Sequence, residues 1–184
     1  MPMNSECLLV AGALRLRFVR RGDRFRHLVE QVVDDRAIVL LESIEGSAAD
    51  NWPASPPVQE LEPAAESLAG QESSDYLRIV WLIGRAGASH WSASVEAQSA
   101  EVEAQSSGVV TFDIACRVHC APGWLGSRYR VLDAAGNERL SIEPLAGCQL
   151  ASLDSRSELV VVAETLGDTL PRTIRWRYQI SARR

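Results

Sequence analysis

The sequence predicts an all-β, mostly antiparallel fold, a β-sandwich or alternatively a barrel, with a long Pro-rich loop and at most one short helix. Three observations carry that prediction. Apolar and polar residues alternate with period two in several segments, strand-like runs recur at short spacing between turn residues, and few stretches show helical spacing. Charged residues on one face of several strands favour two packed sheets over a closed barrel.

The alternation is cleanest from Val109 to Cys120. Val110, Phe112, Ile114, Cys116, Val118 and Cys120 share one face, while Thr111, Asp113, Arg117 and His119 share the other. Ile174, Trp176, Tyr178 and Ile180 alternate in the same way with Thr173, Arg175, Arg177 and Gln179. Near the N-terminus, Leu14, Leu16 and Phe18 lead into Arg21-Gly22-Asp23-Arg24, and Phe25 to Val33 runs back. Gly22 accepts the positive φ that a tight hairpin turn demands, so this segment reads as a hairpin. A third strand follows from Ala37 to Ile44 after the turn residues Asp34 and Asp35. Tyr76 to Ile83 is apolar on nearly both faces, which places it centrally in a sheet, with Trp81 and Trp176 in the core. Further strands are expected at Trp91 to Ala97, Tyr129 to Asp133, Arg139 to Glu143, Cys148 to Leu153 and Glu158 to Thr165. Asp133 to Asn137 reads as a hairpin loop between two of them. The total is nine or ten strands.

Two stretches interrupt the pattern. Residues 45–75 are polar and rich in Pro, Ala, Ser and Glu, a long loop inserted within a single β domain spanning 1–184. Within it, Leu61, Ala64, Ala65 and Leu68 follow helical spacing after Pro63 and predict one or two helical turns. Val-Glu-Ala-Gln-Ser occurs at 95–99 and again at 102–106 and reads as a strand that runs into a polar loop.

Composition removes several function classes. The chain has 184 residues, with 46% hydrophobic and 23% charged, as in an ordinary globular domain. Net charge is −5, which gives no basis for nucleic-acid binding. Eleven acidic residues against Arg78 and Arg85 concentrate the negative charge in 42–106. All 19 basic residues are arginine, which excludes chemistry that needs a lysine, such as a Schiff base or a phosphate-loop lysine. No apolar run reaches the roughly 18 residues of a membrane span. The apolar segment Cys7 to Leu14 follows a leader without a basic residue, so the expected location is the cytoplasm.

The motifs that suggest chemistry have simpler readings. Cys116-Arg-Val-His119-Cys120 reverses the last two residues of a haem-attachment motif. On a strand its two cysteines stand roughly 13 Å apart, too far to share a metal or a disulfide. Both are expected in the core, with His119 on the opposite face, and no metal or cofactor is expected. Gly87-Ala-Ser89-His90-Trp91 lacks the second glycine of a nucleophile elbow, and no helix pattern follows it. Nothing in the spacing nominates His27, His90 or His119 as the base of a triad. Arg21-Gly22-Asp23 spells an integrin-binding tripeptide but fits a charged hairpin turn. Arg15, Arg17, Arg26, Arg175 and Arg177 would form an anion-binding surface if their strands paired, although solvated strand faces explain the same residues.

Five tryptophans against three phenylalanines are the most distinctive feature. Trp52, in Asp50-Asn-Trp-Pro-Ala-Ser-Pro-Pro57, and Trp124, in Ala121-Pro-Gly-Trp-Leu-Gly-Ser127, lie in Pro- and Gly-rich loops. A rigid loop can present an indole to a ligand ring or a protein partner, with Arg128 and Tyr129 supplying polar contacts. The same rings can instead fold back and cap the open end of the core. The leading expectation is a non-catalytic module that binds a small molecule or a protein, with Trp52, Trp124, Arg128 and Tyr129 as candidate contacts. One alternative is an enzyme using carboxylates and arginine in a cleft or barrel mouth, with Glu42, Glu45 and Asp50 as the carboxylates to watch. Another is a self-associating structural protein, since a homo-oligomer fits the exposed strands.

Overall fold

A computed structural model describes residues 6–47, 49–64, 78–100, 107–133, 136–151, 157–167 and 169–183. The first four strands form a meander: β1 (Glu6–Ala11), β2 (Leu14–Arg21), β3 (Arg24–Val33) and β4 (Arg36–Ser43). Next come β5 (Glu60–Pro63), β6 (Ile79–Ala86), β7 (Ser89–Ala100), β8 (Ser107–Val118) and β9 (Gly126–Val131). A single helical turn, α1 (Gly136–Arg139), precedes β10 (Leu140–Ala146), β11 (Cys148–Ala151), β12 (Glu158–Ala163) and β13 (Arg172–Ala182).

These strands make two open antiparallel sheets packed as a sandwich, not a closed barrel. One has seven strands in the order β1-β2-β3-β4-β9-β12-β11, and the other has six in the order β10-β13-β8-β7-β6-β5. The inward phase of most strands is apolar, with His27 on β3 and Ser127 on β9 as buried polar members. Leu9, Leu14, Leu16, Phe18 and Leu41 from the first sheet meet Val80, Val95, Phe112, Ile114, Trp176 and Tyr178 from the second. Trp91 and Trp176 pack edge to face at 5.9 Å, and Phe112 stacks on Tyr178 at 4.9 Å. Such aromatic pairs contribute beyond the area they bury.

Turn chemistry follows the sequence closely at the first hairpins. Gly22 has φ of +63°, and an added Cβ there would meet nothing within 4 Å, so the position needs glycine for its backbone alone. Asp34 and Asp35 both take positive φ, of 50° and 60°, as the mirror-image turn joining β3 to β4 requires. Cys7 to Leu14 forms β1 and the turn into β2, a strand that its apolar character alone did not announce.

Several expectations need correction. Tyr76 to Ile83 is not central: β6 lies next to the edge strand β5, and residues 76 and 77 fall outside the described residues. Val80 and Leu82 point into the core, whereas Trp81 is 53% exposed and Ile83 50% exposed on the outer face. Leu61 belongs to β5 and Ala64 follows that strand without helical structure, while Ala65 and Leu68 lie outside the described residues. Asp133 to Asn137 does not close a hairpin, because β9 and β10 belong to different sheets. The first Val-Glu-Ala-Gln-Ser copy lies in β7, and the second is outside the described residues.

The cysteine expectation is half right. Cys116 is fully buried on the inward face of β8, but Cys120 is exposed. Strand β8 ends at Val118, so the alternation that would have turned Cys120 inward stops two residues too early. Burial pushes the Cys116 thiol up to about 12 and the Cys7 thiol up to about 11, which suppresses their thiolates. Native-state thiol labelling is therefore expected to modify Cys120 rapidly and to spare Cys7, Cys116 and Cys148. Fast labelling that survives Cys120→Ala would show that the inner thiols are accessible.

Candidate functional site

The chain crosses from β4 to β5 through residues 44–59, and this crossing closes one end of the sandwich. Pro53, Ser55, Pro57 and Val58 are buried along it. The Phe25 amide donates to the Val58 carbonyl at 2.6 Å, and the Gln59 amide donates to the Ile83 carbonyl at 2.9 Å. Ser55 Oγ donates to the Arg128 carbonyl and accepts from the Arg128 amide. Asp50 accepts from the Ser47 amide at 2.6 Å, so it stitches the crossing rather than joining any other cluster.

The two tryptophan loops interlock at this end. A Cβ added at Gly123 would lie 3.2 Å from Trp52 Cδ1, so Trp52 rests directly on the loop that carries Trp124. Trp124 Nε1 donates to the Ala54 carbonyl at 3.2 Å, and the Arg128 guanidinium lies 4.3 Å from the Trp124 ring centroid. Both indoles are half-buried, and Trp52 packs against the main core. Tyr129 is 0% exposed and reaches no surface. Trp52, Trp124 and Arg128 are thus brought together mainly as a plug, and Tyr129 lies beneath them in the core. Trp52→Ala is expected to lower stability by about 2–4 kcal/mol, somewhat below a fully buried aromatic truncation. Chemical denaturation measures this; a loss under about 1 kcal/mol would mark the ring as a free surface group.

Beside the plug, the β2–β3 turn, the end of β4 and β9 frame an open cleft of about 340 Å³. Its lining includes Arg21, Arg24, Arg26, Arg130, Glu42 and Glu45. Arg24 is almost fully buried and forks onto Asp23 through Nε and Nη2, both at 3.1 Å. Its Nη1 donates to the Glu45 carbonyl at 3.3 Å. This fork holds the Asp23 carboxyl below its ordinary range. Glu42 accepts from Arg26 at Oε1 and pairs with Arg130 Nη1 at 3.5 Å through Oε2.

Glu45 is the unusual member. Its Oε1 accepts from Ser43 Oγ, while Oε2 is sealed from solvent with no hydrogen-bond partner among the described residues. Burial pushes this carboxyl up to about 7, against the opposing pull of the Ser43 hydroxyl, Arg24 and Arg26. Ser43 Oγ also accepts from the His27 amide at 2.9 Å, which ties the cleft to a buried polar chain. His27 Nε2 lies 3.0 Å from the Tyr129 hydroxyl, which lies 2.6 Å from the Tyr178 hydroxyl. The imidazole is enclosed by Phe18, Phe112 and Tyr129, and burial lowers it to about 3, so it stays neutral.

The arginines do not form one anion-binding surface. Arg15, Arg17 and Arg26 belong to the seven-stranded sheet, and Arg175 and Arg177 to the six-stranded one. Arg17 pairs with Glu30 and Glu6, and Arg175 forks onto Asp113 at 2.7 and 2.5 Å. Ser89 is buried at the start of β7 with no helix behind it, while His90 and His119 are exposed, so no triad assembles from them.

Sequence reasoning singled out Glu42 and Glu45 but not Arg24, Ser43 or His27, whose convergence depends on strand register across three elements. The Arg21-Gly22-Asp23-Arg24 turn was the available signal, since a charged turn beside an acidic strand end can order both. Among the described residues, no helix is long and apolar enough to cross a membrane. No family model, curated protein or solved structure matches this chain.

Proposed function

We propose that this chain is a non-catalytic binding module whose ligand is a small anion, bearing a carboxylate or phosphate, held in the cleft between the β2–β3 turn and β9. The observation that supports this reading most directly is the gathering of Arg21, Arg24, Arg26 and Arg130 around one cleft. Asp23 and Glu42 orient the inner guanidinium groups, while Arg130, at 55% side-chain exposure, keeps donors turned to solvent. Guanidinium groups recognise carboxylate and phosphate through paired, charge-assisted hydrogen bonds. Glu45, when protonated, places no repelling charge beneath the cleft. Binding therefore weakens as pH rises through about 7.

Calorimetric titration with inorganic phosphate and with citrate tests this directly and separates the two anion classes. Arg130→Gln is expected to weaken the preferred anion by at least about tenfold, the value of one charge-assisted hydrogen bond. Absence of binding by both anions, or binding indifferent to Arg130→Gln, would overturn the proposal. The alternative of an enzyme draws its support from Glu45, because a carboxyl poised near neutrality suits general acid catalysis. Turnover of a phosphate or carboxylate ester that is lost in Glu45→Gln would favour it.

A further inference from the structure

The outer face of the six-stranded sheet carries an ordered chemical gradient. Cross-strand register lays Glu62, Trp81, Ser94, Asp113 and Arg177 side by side on β5, β6, β7, β8 and β13. A neighbouring row runs Glu60, Ile83, Ser92, Ala115 and Arg175 on the same strands. Both rows begin with a glutamate and a large exposed apolar side chain, pass a serine, and end with an arginine. Trp81 and Ile83 are half-exposed side by side there, on a face that no other described residue covers.

We propose that this face is the interface with a second copy of the chain, related by a two-fold axis running along β7. That strand lies midway between β5 and β13, so rotation about it carries the acidic edge of one copy over the arginine row of the other. Glu62 then meets Arg177, and Glu60 meets the outer edge of Arg175, whose Nε and Nη2 stay on Asp113, twice each. Ile83 covers Ala115, and Trp81 covers the Asp113–Arg175 pair. The serines meet on the axis, where small side chains let two sheets approach to about 10 Å. A two-fold interface must be self-complementary in this way. In these two central rows the opposite charge at the two ends fits a second copy better than a uniformly charged partner. The flanking rows place Arg85 opposite Arg117 and Glu96 opposite itself, like charges that must turn aside to solvent.

The size is adequate. Strands β6, β7, β8 and β13 have 8, 12, 12 and 11 residues. At about 4.8 Å between strands and about 3.4 Å per residue, the face covers on the order of 700 Å². A stable interface buries about 800 Å² per partner.

Sedimentation equilibrium on the full chain tests the proposal. A dimer is expected for the wild type, with Arg177→Glu raising its Kd by about a hundredfold or more through like-charge contacts with Glu62. Adding Glu62→Arg to Arg177→Glu is expected to restore the dimer, a rescue that a merely unfolded variant could not show. Both positions are exposed, so melting of each variant confirms that the fold is retained. A wild type that stays monomeric at millimolar concentration overturns the proposal and leaves the face to a different partner. A dimer indifferent to Arg177→Glu, or not rescued by the double change, equally overturns it.

Discussion

Gly84→Ala is expected to destabilise the protein by about 3–5 kcal/mol, through displacement of buried backbone and loss of several hydrogen bonds. Gly84 stands in the inward phase of β6, two residues after Leu82, where a core side chain would ordinarily project. The Pro57 carbonyl occupies that space, and a Cβ at Gly84 would lie 1.4 Å from its oxygen and 2.7 Å from its carbon. The backbone around Pro57 cannot retreat freely. Val58 is tied to Phe25 on one side and Gln59 to Ile83 on the other, while the Gln59 side chain bonds the Arg85 backbone twice, at 3.3 and 3.0 Å. Relieving the clash must lift the crossing off the sandwich end and unseat Trp52 with it. Urea denaturation measures the loss, with Gly22→Ala as the control. That position has open space and costs only its positive φ, about 1–2 kcal/mol. A Gly84→Ala loss no larger than the control would show that the crossing is not docked against β6.

The second large effect is pH-dependent. Folding raises Glu45 from its ordinary 4.5 to about 7, so the folded chain holds this proton more tightly than the unfolded one. Its contribution to stability is fully present below 4.5 and is lost as pH rises to about 7. The loss is on the order of 3 kcal/mol. His27 acts in the opposite sense. Burial lowers it from 6.5 to about 3, so its neutral form favours the fold above 6.5, and that advantage is lost as pH falls to about 3. Between 4.5 and 6.5 the two slopes oppose each other, and the wild type hides both. Comparison with Glu45→Gln separates them, because His27 contributes equally to both proteins. Relative to wild type, the variant is expected to gain on the order of 3 kcal/mol between pH 4.5 and 7.5. A stability gap that stays constant across that range would show that the Glu45 carboxyl is hydrated in the folded state.

Sequence alone determined the fold class, the two-residue turns and the inward faces of the long strands. These are local properties: period two fixes which residues share a face, and Gly22 or the Asp34-Asp35 pair suits its turn before any tertiary contact forms. Sheet membership was not local. Val80, Trp81, Leu82 and Ile83 offer apolar side chains to both faces of β6, and only the packing of the second sheet decided that Trp81 would face outward. Likewise Cys120 continues the pattern of Cys116 in sequence, yet the strand ends first. The candidate cleft was partly legible, because Glu42 and Glu45, with Asp50, were the carboxylates of the acid-rich stretch to watch for a cleft shared with arginine. Their conversion into a site required the β2–β3 turn, the end of β4 and β9 to meet at one corner. That meeting is set by cross-strand register between residues such as Glu42 and Arg130, which are 88 positions apart in the chain. The perturbed carboxyl of Glu45 belongs wholly to the tertiary structure, since its cause is removal from water, and a sequence does not state which side chains its folding will dry.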